Sequence, residues 1–271
     1  MNTELYCSPV FFGLSDEPEF ECIIDLVVKN AIKMRGHGLD AAFLSPIDYA
    51  RESSDYCIVP NVAVSSWTPT DSIVLHFKEG LHTVKTLVVS LSSTSEVVLA
   101  SILLSERFDL RPKFIPLVGS LEQMLKSADA ALLVGNAALE QSDSHRNKLD
   151  LVEEWLDMTD LPYVHGFWCV RESTMSAGHV AALCHACERG LASLEAIAQA
   201  QSPNHSRIFP PDRLLQYLES FSFTLTDEEQ ESVMEFLKYA YYHGVVPDIA
   251  DLNFYPDETE DDALHARPSL N

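Results

Sequence analysis

Basic residues and glycine are scarce in this chain. Only 18 of its 271 residues are Lys or Arg, against 41 Asp or Glu, for a formal net charge of -23. No basic face is available to neutralise phosphates, which argues against a nucleic-acid partner. It argues equally against general attraction to anionic lipid. The ten glycines form no GxGxxG and no GxxxxGK[ST], and HExxH and GxSxG are missing too. The usual signatures of dinucleotide, phosphate-loop, zincin and hydrolase chemistry are therefore lacking. No apolar run approaches the length that spans a bilayer, so membrane insertion is not expected. The N-terminus has no basic n-region, and Pro9, Asp16, Glu17 and Pro18 interrupt its apolar stretch. No secretory leader is read there, and the cytoplasm is the expected compartment.

Cys7, Cys22, Cys57, Cys169, Cys184 and Cys187 are the six cysteines. In a long chain without a leader they read as reduced thiols, not as a disulfide framework. The CHAC stretch, Cys184 to Cys187, puts two sulfurs on one helix face with His179 nearby. No second ligand pair follows, so a structural zinc site is not supported. Glu188 stands where a c-type haem motif needs His. The motif also sits inside a helix and does not open one, as a thioredoxin-like pair would. Buried free thiols are expected, and no metal.

What the chain does have is a core, with 46% hydrophobic residues. Strand-like and helical runs alternate through its first two thirds, which reads as α/β with largely parallel sheets. LYCSPVFF reads as a first strand entering a turn. FECIIDLVVKNAIKMRGHG reads as a strand and then a helix. FLSPIDYARES gives a strand, a turn at Ser45-Pro46 and a helix start. SIVLHF reads as a strand after a loop. TLVVSLSSTSEVVLASILLSERF is a strand, a cap-rich turn and a helix. KFIPLV is a strand, SLEQMLKSA a helix, and DAALLVGNAAL a strand with a turn. From about residue 176 to 242 the pattern is almost wholly helical. Phe236, Tyr239 and Tyr242 form a core stripe there, and Thr226 with Glu229 forms a capping box. The tail from 257 to 271 is acidic and reads as mobile.

Four stretches share one geometry, a strand ending in small hydroxyl or amide residues where a helix begins. They are Tyr6-Cys7-Ser8, Ser45, Ser92 to Ser95, and Gly135-Asn136. In an open α/β sheet the carboxyl ends of strands line the ligand crevice. Helix N-termini there offer free N–H groups and a positive dipole end. Each stretch taken alone can be a simple N-cap. Together they suggest a cleft that binds a small anion without a net positive charge.

FLSPIDYA, VPNVAVSS, STSEVVLASILLSERF, ADAALLVGNAAL, LDLVEEWLDMTDLPYVHGFW and the closing FPPDRLLQYLESFSFTLTDEEQESVMEFLKYA carry a resemblance in their order and spacing. Across nearly the whole chain they resemble the menaquinone-biosynthesis family that contains the chorismate dehydratase of the futalosine pathway. The resemblance implies a two-lobe fold like a type II periplasmic binding protein, with a central ligand cleft and a helical C-terminal part. It implies one lobe from residues 1–85 plus 169–271 and another from 86–168, with TLVVSL and YVHGFWCV as the crossings. It implies a hydro-lyase reaction in which chorismate loses its ring hydroxyl and the hydrogen on the adjacent ether-bearing carbon. The product is the aromatic 3-[(1-carboxyvinyl)oxy]benzoate. That chemistry requires no metal and no organic cofactor. The implied partner is a chorismate-like small carboxylate, bound by a monomer or homodimer.

Residue by residue, the resemblance makes Ser45, Ser72, Ser93, Thr94 and Ser95 candidate substrate-binding hydroxyls. Ser8, beside the family's first motif, joins them. Asn136 falls where the family usually carries an acid in Gly-Asp-x-Ala-Leu. LYCSPV is similar to the family's Leu-Asn-x-x-Pro-Leu, and Tyr6 takes the place of the asparagine proposed to assist elimination. Tyr6 is the catalytic candidate on that basis, able to donate a hydrogen bond or to fill part of the pocket. His165, on the expected crossing strand, is a titratable neighbour of the cleft. Two alternatives stay open. One is a small-carboxylate binding protein that has lost catalysis. The other is the pathway's sister enzyme, which forms a naphthoate and needs a larger pocket and a general base such as His165.

Overall fold

A computed structural model describes residues 1–90, 94–141, 147–205 and 210–256. The elements run in chain order as α1 (Val27–Arg35), β1 (Ala41–Leu44), α2 (Pro46–Ala50), β2 (Cys57–Ser66), β3 (Ile73–Phe77) and β4 (Thr86–Val89). They continue as α3 (Thr94–Phe108), β5 (Lys113–Pro116), α4 (Leu121–Ser127), β6 (Ala130–Val134), α5 (Asn136–Leu139), β7 (Lys148–Asp150), α6 (Leu151–Thr159) and β8 (Tyr163–Val170). Four helices close the chain: α7 (Ala177–Leu191), α8 (Leu194–His205), α9 (Pro211–Glu219) and α10 (Asp227–Tyr242).

The strands form two sheets. One has three strands in the order β1-β8-β2, the other five in the order β5-β4-β6-β3-β7. The expectation of largely parallel sheets holds only at β4, which runs parallel to β5 and β6. Every other pairing is antiparallel: β8 with β1 and β2, and β3 with β6 and β7. The reason is connectivity. A parallel neighbour needs a crossover, which α3 supplies after β4 and α4 after β5, while the remaining strands arrive from other directions. Strand β3 pairs register for register with β6, Ile73 opposite Val134 and Phe77 opposite Ala130. Residues 73–77 therefore share a sheet with the strands of 86–150, and the first crossing between sheets falls between β2 and β3, before the position read at 86.

The first segment differs most from its sequence reading. LYCSPVFF is not a strand. Leu5–Phe11 is a 3-10 helix with Pro9 inside it. Pro9 has no N–H to give a sheet ladder, so a buried apolar run around it finds another way to satisfy its backbone. The segment packs against α7, where Gly190 faces it. A Cβ on Gly190 would stand 2.1 Å from the Pro9 carbonyl oxygen, so glycine is what allows the two backbones this approach. The helix closest to FECIIDL begins only at Val27, and no strand precedes it. VAVSS, read as loop, is the second half of β2.

Other local readings hold. The α3, α4 and α7–α10 helices lie where the 3.6-residue periodicity put them. Ser120 with Gln123, Ser176 with His179 and Thr226 with Glu229 form capping boxes that satisfy first-turn N–H groups. Phe236 is core and Tyr239 packs at its edge, but Tyr242 is 77% exposed, because the helix has turned away by its last residue. The six cysteines are free. Cys187 is buried and Cys184 half-buried on α7, both thiols facing backbone carbonyls. Among the described residues, no helix is long and apolar enough to cross a membrane. The acidic tail from 257 lies outside the described residues.

Candidate functional site

The two sheets bound a cavity of about 350 Å³. Phe43 and Ser45 enter it from the end of β1, and His165 from the middle of β8. Ser90 follows β4, Thr94 and Glu96 open α3, Leu132 to Val134 come from β6, and Asn136 begins α5. Asn2, Thr3, Glu4 and Tyr6 of the N-terminal segment also line it. The carboxyl ends of β1, β4 and β6 thus meet at one place, as an open α/β sheet requires of its ligand crevice.

Of the residues singled out in the sequence, the cavity gathers Tyr6, Ser45, Thr94, Asn136 and His165. Ser72 is buried elsewhere, 2.6 Å from Thr70 Oγ1 in a hydroxyl pair. Ser95 points away from the cavity side of α3, and its Oγ accepts from the Ile47 N–H at 3.1 Å, tying α3 to α2. Ser8 lies on the far face of its 3-10 turn, in a separate hollow with Phe11, Phe12 and Ile197. The period of a tight helix explains that separation, because a strand would have put Tyr6 and Ser8 on one face. Ser93 lies outside the described residues.

Tyr6 is fully enclosed. Its ring stacks on Phe221 at 5.2 Å and 22° and leans on the His165 imidazole at 4.9 Å. Burial pushes its phenol well above the ordinary value, with Cys7, Glu4 and Glu96 adding to the rise. A phenol held that high is a poor proton donor at neutral pH, so the acid role open to Tyr6 in the sequence has no support in its surroundings. His165 is buried as well, and desolvation lowers its pKa to about 3. The ring is therefore a neutral imidazole. Its Nε2 sits 2.7 Å from Ser66 Oγ, and its Nδ1 meets no hydrogen-bond partner among the described residues.

Asn136 is spent on the chain itself. Its Oδ1 accepts from the Leu5 N–H at 2.9 Å and its Nδ2 donates to the Thr3 carbonyl at 2.9 Å. Its own N–H donates to Glu4 Oε2 at 2.8 Å. Residue 135 must be glycine for this. Its φ of +59° is in the left-handed half of the map, and a Cβ there would stand 1.8 Å from Glu4 Oε2. The pair Gly135-Asn136 thus latches the N-terminal segment onto the five-stranded sheet. Ser45 is committed in a similar way. Its Oγ accepts from the Asp48 N–H and donates to Asp48 Oδ2 at 2.8 Å, capping α2.

Sequence reasoning missed Glu96. It stands in the first turn of α3, and only 7% of it is exposed. Its carboxylate accepts a hydrogen bond from its own N–H, yet desolvation raises its pKa to about 7, with Asp48 and Glu4 adding to the rise. The signal was present in STSEVVLAS, one acid in an otherwise apolar and hydroxyl run, but a first-turn acid is ordinarily explained by the helix dipole. Among the described residues lining the cavity there is neither Lys nor Arg. A ligand carboxylate would meet hydroxyls, N–H groups and a carboxyl able to carry a proton.

Residues 4–242 match the family model described as menaquinone biosynthesis. Solved structures give the fold. Protein AF1704 from Archaeoglobus fulgidus superimposes with a TM-score of 0.73 at 17% identity, covering 91% of this chain and 97% of that one. The periplasmic aliphatic sulphonate binding protein SsuA of Escherichia coli gives 0.61 at 12% identity, with 93% and 94% covered. The alkanesulfonate-binding protein SsuA of Xanthomonas axonopodis pv. citri, bound to MOPS, gives 0.63 at 10% identity, with 92% and 94% covered. The architecture is the two-lobe periplasmic-binding-protein-like fold, with the cavity between the two sheets.

Proposed function

The chain belongs to the menaquinone biosynthesis family, and we propose that within it this protein is a cytoplasmic hydro-lyase that removes water from chorismate to give 3-[(1-carboxyvinyl)oxy]benzoate. The observation that carries the reading is the cavity. At about 350 Å³ it lies at the small end of ligand pockets and suits one six-membered ring with two short acidic arms. The volume weighs against the naphthoate-forming enzyme of the same pathway, whose substrate, a cyclised futalosine derivative, calls for a larger pocket. Two of the similar folds are sulphonate-binding proteins, so a small organic anion is a natural occupant.

Dehydration of such a ring is driven by aromatisation. The protein's task is to bind both carboxylates, orient the ring and manage one proton. Ser90, Thr94, whose side chain also bonds Asp48, and the opening of α3 line one side. Tyr6, backed by Phe221, and Phe43 give the cavity an aromatic side. The test is incubation of the purified chain with chorismate, followed by chromatography for the enol ether. Product above the uncatalysed background is expected. Tight chorismate binding with no product would remove the enzymatic claim.

A second reading has its own observation. Tyr6 stands where the family's asparagine is expected, and Asn136 is occupied by Thr3 and Leu5. Both facts suit a small-carboxylate binding protein that no longer turns over. Thermal shift against a panel of carboxylates separates the two, since a ligand at 100 times its dissociation constant adds about 2.7 kcal/mol.

A further inference from the structure

Resting on the hydro-lyase reading, the geometry points to Glu96 as the catalytic acid and base of the elimination, a residue of STSEVVLASILLSERF to which the resemblance assigned no role. Among the described residues of the cavity wall, four groups can carry a proton: Tyr6, His165, Glu4 and Glu96. Three have another employment. Tyr6 is packed between Phe221 and His165, and its phenol is held far above neutrality. His165 is a neutral ring bonded to Ser66. Glu4 receives the Asn136 N–H and fixes the N-terminal segment. Glu96 is buried in the first turn of α3 with no ion-pair partner among the described residues. Its one hydrogen bond there is to its own N–H. It exchanges its proton near neutrality, in the window where a general acid works best.

The chemistry fits one group acting twice. The ring hydroxyl and the ether oxygen of chorismate are trans, so the hydroxyl and the departing hydrogen share a face of the ring. The Glu96 carboxyl gives its proton to the hydroxyl oxygen, the C–O bond breaks with its electron pair on that oxygen, and water leaves. The Glu96 carboxylate then takes the hydrogen of the adjacent ether-bearing carbon as a proton. The C–H pair becomes the third double bond of the ring, and the carboxyl is restored. No oxidant or further reactant is needed. Substrate binding favours the same protonation state, because a carboxylate ligand repels an ionised Glu96, and no Lys or Arg stands among the described lining residues to offset this.

Other titratable groups face Glu96 from each element around it: Asp48 on α2, Glu4, Tyr6 and Cys7 on the N-terminal segment, and Tyr163 and His165 on β8. Asp48 is held by Ser45 and Arg51. Burial holds Cys7 and Tyr163 well above neutrality, as it does Tyr6. Burial also raises Asp48 and Glu4 from the ordinary carboxylate range, so the limb is assigned to Glu96 by its loss in Glu96→Gln.

The experiment measures enol-ether formation from chorismate by the full chain and by Glu96→Gln and Glu96→Asp, between roughly pH 5 and pH 9. Wild-type kcat/KM should fall as pH rises through about 7. Glu96→Gln should lose about 100-fold or more in kcat and lose the limb. It should still bind chorismate by calorimetry, at pH 8 at least as tightly as wild type. Glu96→Asp should recover part of the rate. Wild-type turnover with an undiminished Glu96→Gln would overturn the assignment and leave the hydro-lyase reading standing. Chorismate binding without turnover in wild type would remove that reading and the assignment with it. Should Glu96→Gln fail to fold, the wild-type profile decides, and one that is flat through pH 7 overturns the assignment.

Discussion

The cavity has two unlike walls. One is aromatic, built by the N-terminal 3-10 helix, β8 and Phe221, and it presents Tyr6 and His165. The other is polar, built by the openings of α3 and α5, and it presents Thr94, Glu96 and Asn136. Burial acts on both with one rule and opposite signs. Desolvation disfavours whichever form carries charge. It lowers the histidine to about 3, so that it no longer titrates near neutrality. It lifts the glutamate to about 7, so that it begins to. A sequence scan that looks for histidine as the group titrating near pH 7 picks the wrong wall.

Each wall also rests on a glycine, and the largest expected effect separates these supports. Gly190 faces the Pro9 backbone, which has no freedom to move aside. Gly190→Ala should cost about 3 kcal/mol or more and lower the urea midpoint sharply. Gly135 faces the end of the Glu4 side chain, which can swing away, although the left-handed backbone adds strain. Gly135→Ala should cost about 1–3 kcal/mol. Equal losses, measured by unfolding at one pH, would erase the contrast between a backbone support and a side-chain latch.

The pH dependence of stability sharpens the comparison next. For Glu96 the folded pKa lies above the ordinary 4.5. Its contribution is fully present below that value and is lost as pH rises toward about 7. For His165 the folded pKa lies below the ordinary 6.5. The unfolded chain then binds the extra proton, and stability is lost as pH falls from 6.5 toward about 3. The two limbs run in opposite directions. Glu96→Gln should flatten the alkaline limb, gaining up to about 3 kcal/mol over wild type at pH 8 relative to pH 4, by the free energy of each pKa unit. His165→Gln should flatten the acid limb. Chemical denaturation of both variants at several pH values checks the pair, and a single shared limb would break the reading of the walls.

The sequence made the polar wall's frame legible and left its key residue out. Strand β6, the helix of STSEVVLAS and the cap at Thr226 follow from local patterns that tertiary structure did not override. Glu96 was hidden because an acid in a first helical turn is favourable in any helix, and only the approach of β8 and the N-terminal segment buries it. The aromatic wall was misread for a related reason. A short apolar run does not distinguish a strand from a buried tight turn, and Pro9 was the one residue that argued for the turn. Ser8 and Ser72 were grouped with the site by position in the chain, and packing carried them elsewhere.

A smaller effect is expected where the polar wall is capped. Ser45→Ala removes the bond from the Asp48 N–H and one of two hydroxyl donors to Asp48, Thr94 being the other. The loss should be about 1 kcal/mol, as for other N-caps, read as a modest fall in melting temperature.

The smallest effect should come from the residue that the sequence placed at the centre of the chemistry. The Tyr6 ring is held by Phe221 and His165. Tyr6→Phe keeps the stacked ring and removes only a phenol that burial holds in its protonated form. Turnover of chorismate should stay within about threefold of wild type, since a group that neither gives nor takes a proton forgoes the roughly hundredfold that acid catalysis supplies. Tyr6→Asn is the contrasting change. It restores the family's side chain but empties a ring-sized space beside His165, so it should destabilise the fold by about 3 kcal/mol or more. A hundredfold loss in Tyr6→Phe would move the acid from the polar wall to the aromatic one.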